Sequence, residues 1–171
     1  MRQHMESLGR IGEFYAPQLS HWPEEAIALC EAFIKDHKGS GPMTVVGSSL
    51  GGYYATHLAE THNLKAVLIN PAVRPYALLA PYLGPQRNQY TDEEYELTSR
   101  HIAQLEALEV GGITPQRYLL LVQTGDELLE YRDALARYHG ARQVVIEGGN
   151  HGFQDFEQQL ELIMAFADGG G

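Results

Sequence analysis

The run Met43-Thr44-Val45-Val46 passes into Gly47-Ser48-Ser49-Leu50-Gly51 and then into Gly52-Tyr53-Tyr54-Ala55-Thr56-His57-Leu58-Ala59. A short β-branched apolar stretch predicts a strand, and the segment beginning at Tyr53 opens a helix. Between them lies G-x-S-x-G, formed by Gly47, Ser49 and Gly51. A serine at the apex of a sharp strand-to-helix turn projects its hydroxyl beyond the sheet. The positions two before and two after it are expected to crowd, and glycine at both relieves the clash. The amide of Leu50 and the start of the helix then offer positive potential at the same spot. Without chemistry, the same turn serves only tight packing. A nucleotide-binding reading fails, because no Gly-x-Gly-x-x-Gly is present and no Gly-Lys-Ser/Thr follows. Ser48 is the rival nucleophile, but it lacks flanking glycines at the two required positions, so Ser49 is favoured.

The rest of the chain predicts where this turn sits. Ile11 to Leu19 reads as a short strand stopped by Pro17, with Phe14 and Tyr15 inside it. A helix starts near Pro23, led by Glu24 and Glu25, and runs to about Lys38. After the Gly39–Pro42 loop, the central strand and the turn, a helix reaches about His62. Lys65–Asn70 and Tyr118–Gln123 are continuous apolar runs of the kind covered on both faces in a parallel sheet. Ala141–Glu147 is a further strand, with helices expected over Leu128–Tyr138 and Phe153–Ala167. Residues 72–115 are too long for a plain connection. They read as a helical excursion over the carboxyl edge, with helices at Tyr76–Tyr82 and Asp92–Leu108. Strand and helix alternate, which predicts an α/β fold: a mostly parallel sheet with helices on both faces.

Composition closes off other classes. The length of 171 residues suits one domain over 1–171, and the net charge of −10 argues against phosphate backbones and anionic membranes. Cys30 is the one cysteine, so no intramolecular disulfide can form, and its apolar surroundings make it a core residue. No apolar run reaches the ~20 residues of a membrane span. No secretory apolar region is seen near Met1, so a cytoplasmic location is expected. Gly169–Gly171 is expected to be a disordered tail.

Ligands of such sheets bind beyond the carboxyl ends of the strands. Three predicted strand ends carry Ser49, Asp126 and His151, in the chain order of the α/β-hydrolases. His151 would take the serine proton and return it to the leaving group, and Asp126 would fix the imidazole tautomer. Each has a plainer alternative. Asp126 could merely cap the helix at Leu128. His151 could be a surface loop residue. Glu127 and Asp133 are rival acids. His21, His37, His57, His62, His101 and His139 need no function. No metal is expected, since there is neither a cysteine cluster nor His-Glu-x-x-His.

Val46–Ala55, Asn70–Pro75, Tyr82-Leu83-Gly84, Ser99-Arg100-His101, Gln123–Glu127 and Ile146–His151 closely resemble the YqiA-type small esterases. The resemblance spans roughly Phe14 to Phe166. It implies an α/β-hydrolase without cofactor that hydrolyses carboxylic esters or acyl-CoA thioesters, small molecules, with Ser49, Asp126 and His151 as nucleophile, acid and base. Members of that family begin with a central strand ending in a Leu-His-Gly-Phe-like segment, whose loop supplies the second oxyanion amide. This sequence has no such segment, and Met1 falls inside the helix expected to follow it. The chain is therefore expected to be shortened relative to the family, with the strand before Ser49 lacking one neighbour unless the strand near Phe14 slides in. Loss of one oxyanion donor costs about 10²–10³ in turnover. A non-catalytic binding or scaffold protein, or a lyase or acyltransferase on the same scaffold, stays open. Tyr53, Tyr54, Tyr76 and Tyr82 could line the acyl site, or simply pack. Arg74 could meet an anionic substrate group or a surface carboxylate.

Overall fold

Tyr118–Gln123 forms a strand, β5, in which every residue is buried. A strand can be apolar on both sides only where both faces of its sheet are covered. β5 and β2 (Lys65–Pro71) are the inner strands of a four-stranded parallel sheet, ordered β1-β2-β5-β6. β1 is Thr44–Ser49 and β6 is Arg142–Ile146. The computed structural model describes residues 1–87, 92 and 94–169; Gly170 and Gly171 of the expected tail lie outside them. Among the described residues β1 pairs with β2 alone and β6 with β5 alone. These outer strands leave Val46 and Val145 about half exposed.

Side chains alternate across the sheet. Ala66, Leu68, Leu120 and Val122 meet Ala55 and Ala59 of α3 (Leu50–His62) and Ala134 and Tyr138 at α6 (Tyr131–Arg137). Val67, Ile69, Leu119 and Leu121 face the other way, onto Phe153 and onto Ile163 and Phe166 of α7 (Leu160–Ala167). A third cluster joins α3 to α2 (Pro23–Asp36), through Ala26, Ile27, Tyr53, Tyr54 and Leu58. A short α1 (Arg2–Ser7) precedes these elements. No helix of the described residues is long and apolar enough to cross a membrane.

Four expectations are corrected. Ile11–Leu19 forms no strand, only a single 3₁₀ turn at Ile11–Glu13. Its aromatics find partners outside the sheet, Tyr15 stacking on Phe33 at 3.8 Å and Arg2 lying over Phe14. The 72–115 excursion is only partly helical. After α4 (Pro75–Leu79) and a 3₁₀ turn to Tyr82 come an antiparallel pair, β3 (Gly84–Arg87) with β4 (Glu94–Leu97), and then α5 (Ser99–Ala107). The expected Asp92–Leu108 helix, whose residue 93 lies outside the description, starts at Ser99 because the Thr98 amide donates to the His101 ring (3.1 Å) in a capping box. The Leu128–Tyr138 helix begins only at Tyr131, since Asp126 turns the chain first by accepting the amides of Leu128 and Leu129. The closing helix is split, with a 3₁₀ turn at Phe156–Gln159 ahead of α7, because Phe153 and Asp155 have positive φ.

Glu60 ties the excursion back to the sheet. It accepts the Thr114 amide and the Tyr118 hydroxyl, each at 2.7 Å, the Thr114 hydroxyl at 3.1 Å and Arg117 at 3.0 Å. Burial acts to raise the carboxyl pKa, but these donors outweigh it and hold it below the ordinary value of 4.5. A depressed folded pKa contributes stability above the unfolded pKa, and that stability is lost as pH falls through the folded value. Glu60→Ala, which strips a buried hydroxyl of its partner, is expected to cost about 3 kcal/mol at neutral pH. Urea melts at pH 7 and pH 3 check this: the penalty should shrink in acid, and an equal penalty at both would rule out the charge as its source.

Candidate active site

β1 ends on Ser49, which also caps α3. Its backbone is at φ 54°, ψ −123°, a conformation that costs a non-glycine residue about 1–3 kcal/mol. Neighbours enforce it. A Cβ on Gly47 would fall on the carbonyl oxygen of Gly51, and one on Gly52 would lie 2.6 Å from Pro71 Cβ. The Ala72 amide donates to the Ser49 carbonyl at 3.0 Å. The expected crowding at Gly51 is corrected: a Cβ there meets nothing within 4 Å, because its Cα faces outward from the first turn of α3. Gly47→Ala should therefore abolish the turn and with it the soluble folded protein, whereas Gly51→Ala should melt within about 1 kcal/mol of wild type. Thermal melts of the pair check it, and equal losses would show that the two glycines do the same job. The Leu50 amide opens α3, where first-turn N–H groups have no acceptor within the helix.

The structure brings together the three residues named from strand ends. His151 Nε2 lies 3.0 Å from Ser49 Oγ, and its Nδ1 lies 3.0 Å from both carboxylate oxygens of Asp126. The imidazole is 19% exposed and the carboxylate 2%. A carboxylate only accepts, so Nδ1 carries the hydrogen and Nε2 turns its lone pair to the serine hydroxyl. Asp126 also accepts the Leu128 and Leu129 amides at 2.9 Å each. Asp126 does not cap the helix, which starts at Tyr131 behind Glu130; it forms the turn ahead of it and meets the imidazole as well.

The rivals fall elsewhere. Ser48 is exposed on β1, and Asp133 is exposed on α6. Glu127 holds the backbone of His151, accepting its amide at 2.9 Å, and this bond keeps the Glu127 carboxyl below its ordinary range. Tyr53 does not suit substrate: it is buried and donates to the Leu105 carbonyl at 2.7 Å, bolting α5 to α3. Arg74 is exposed, two residues beyond the Ala72 amide that contacts Ser49. His101 is buried in the excursion, stacked on Trp22 at 3.8 Å.

Two buried amides were not singled out by the sequence reading, Asn70 at the end of β2 and Gln123 at the end of β5. The available signal was a polar residue closing an otherwise apolar inner strand, which must find partners.

The model of a family described as "Uncharacterised protein family (UPF0227)" matches residues 1–168. The chain belongs to this YqiA-like family. Solved structures share the fold of this UPF0227 chain. A protein of Agrobacterium vitis S4 aligns with a TM-score of 0.66 and 22% identity over 85% of this chain and 68% of its own. Alpha/beta hydrolase domain-containing protein 10 from mouse aligns at 0.61 and 21%, again over 85% and 68%. The ferulic-acid complex of Est1E from Butyrivibrio proteoclasticus aligns at 0.62 and 17%, over 87% and 68%. The UPF0227 chain thus has the α/β-hydrolase fold, as its parallel sheet and strand-end site already indicate.

Proposed function

We propose that this chain is a serine hydrolase that cleaves carboxylic esters or acyl-CoA thioesters through an acyl-enzyme on Ser49. The observation that carries the reading is the unbroken line from Ser49 Oγ through His151 to Asp126, with 3.0 Å at each step. Ser49 Oγ attacks the substrate carbonyl while His151 Nε2 takes its proton. The Leu50 amide meets the oxyanion of the tetrahedral intermediate. The Oγ–carbon bond forms in that attack; His151 then protonates the departing alcohol or thiol as its bond to the carbonyl carbon breaks, and the carbonyl re-forms in the acyl-enzyme. Water enters by the same route in reverse, with His151 as base, and frees the carboxylic acid and Ser49. Asp126 stabilises the imidazolium in both halves. These groups need no cofactor, and the substrate is a small molecule met in the cytoplasm. Arg74, exposed beside the site, is the residue we assign to an anionic substrate group.

Kinship in fold with a solved structure named as an esterase domain, from Rhodothermus marinus, supports the reaction class. The second reading is a non-catalytic binding or scaffold protein within a single hydrolase-like domain. The observation favouring it is that β1 pairs with β2 alone among the described residues, so no strand end on its other side contributes a second oxyanion amide. Labelling of the purified chain with a fluorophosphonate separates the two. A phosphonyl group recovered on Ser49 means a live nucleophile; an unlabelled folded protein favours the second reading.

A further inference from the structure

We propose that Asn70 is the positioning residue for His151, and that with Gln123 it forms an amide clamp on the loop that carries the imidazole. The role rests on the catalytic reading of Ser49, His151 and Asp126 given above. Both amides are almost wholly buried, at 3% and 2% exposure. Asn70 uses every hydrogen-bonding group of its side chain. Its Nδ2 donates to the Asn150 carbonyl at 3.0 Å and the His151 carbonyl at 3.2 Å, and its Oδ1 accepts the Gln123 amide at 2.9 Å. Gln123 Oε1 accepts the amides of Asn150 at 3.1 Å and Gln154 at 2.9 Å, and its Nε2 donates to the Gln154 carbonyl at 2.8 Å. The loop passes so close that a Cβ on Gly149 would fall on the Gln123 carboxamide.

The division of labour between the two amides follows from which atoms they grip. Asn70 holds the carbonyl of His151 itself, and Glu127 holds its amide. The peptide groups on both sides of the imidazole are therefore fixed by side chains from the end of β2 and from the loop that follows β5. Gln123 grips the flanking residues 150 and 154. Loss of Asn70 would free the His151 carbonyl and let the ring drift from Ser49. A misplacement of about 1 Å costs on the order of 100-fold in rate. Asn70 sits at φ 39°, a conformation that asparagine, aspartate and glycine tolerate better than other residues. Asn70→Asp and Asn70→Gly thus alter the clamp without forcing the backbone.

The test compares Asn70→Asp, Asn70→Gly and Gln123→Glu with wild type. It measures fluorophosphonate labelling rate across pH, melting temperature, and the NMR resonances of the His151 ring. Both Asn70 variants are expected to label about 100-fold more slowly at pH 8. For Asn70→Asp the ratio to wild type should narrow as pH falls, because protonation of the introduced carboxyl restores one donor. For Asn70→Gly it should not. Gln123→Glu sets a buried carboxylate oxygen against the Gln154 carbonyl and disturbs the other half of the clamp; because Gln123 grips residues 150 and 154 and not His151 itself, it is expected to slow labelling, but by less than either Asn70 variant. A lower melting temperature with labelling near the wild-type rate in both Asn70 variants would make the clamp merely structural and overturn the proposal. Should Asn70→Gly fail to fold, Asn70→Asp decides alone. If wild type itself does not label, the catalytic reading fails separately, and an unmoved His151 ring in Asn70→Asp would still overturn the positioning role.

Discussion

Ser49→Ala will lower turnover of a short-chain chromogenic ester by at least about 10⁴-fold, leaving only what binding and the oxyanion amide provide. The hydroxyl lies 3.0 Å from the imidazole and is the atom to which the proposed mechanism assigns the covalent bond. Nothing else in the described site replaces it, since Ser48 is turned outward on β1. Binding of substrate should persist, so the loss belongs to kcat, and fluorophosphonate labelling should vanish with it. Activity close to wild type would remove Ser49 from the mechanism. Stability offers a second readout. Ser49 at φ 54° stores strain that alanine retains and glycine releases. Ser49→Gly should therefore be more stable than Ser49→Ala by about 1 kcal/mol, even after the larger chain entropy of glycine is counted. Equal melting points would mean the turn is not strained.

Asp126→Asn should cost about 10⁴-fold in kcat with little change in KM. The carboxamide keeps an oxygen for the Leu128 and Leu129 amides, which Asp126 holds at 2.9 Å, so the turn survives. Its NH₂ group, however, would confront the hydrogen on His151 Nδ1. The imidazole must then move that hydrogen to Nε2, which leaves no lone pair facing Ser49. Stability should change by under about 2 kcal/mol. Steady-state kinetics beside a thermal melt separate the two roles of Asp126. A variant that loses stability but keeps kcat would reduce Asp126 to a turn former.

Much of the site was legible because strand ends in a parallel sheet converge, and the residues closing the apolar runs can be read off the chain. Ser49, Asp126 and His151 each follow such a run, and all three meet. The inner strands β2 and β5 were legible for the same reason: full burial leaves an uninterrupted apolar signature. What stayed hidden depends on tertiary contact. The pair β3–β4 is held by cross-strand partners, and its Glu94–Leu97 half looks like the start of the following helix. Ile11–Leu19 has strand-like residues, but Tyr15 is taken by Phe33 on α2. Gly51 shares a motif with Gly47 but not its crowding; the close approach to Pro71 belongs to Gly52. Tyr53 sits one turn beyond the nucleophile in sequence, yet the hydroxyl is spent on Leu105 across 52 positions. Asn70 and Gln123 act through main-chain atoms of a distant loop, which no local pattern encodes.

The bond between Ser49 and His151 closes a separation of 102 positions. Long parallel crossovers close late, because loop entropy is lost before their contacts form. In a refolding chain, helical signal would return first and the proton line last. Recovered fluorophosphonate labelling would then clock the docking of β5 on β2, the longest crossover in the sheet, a stage that circular dichroism passes over.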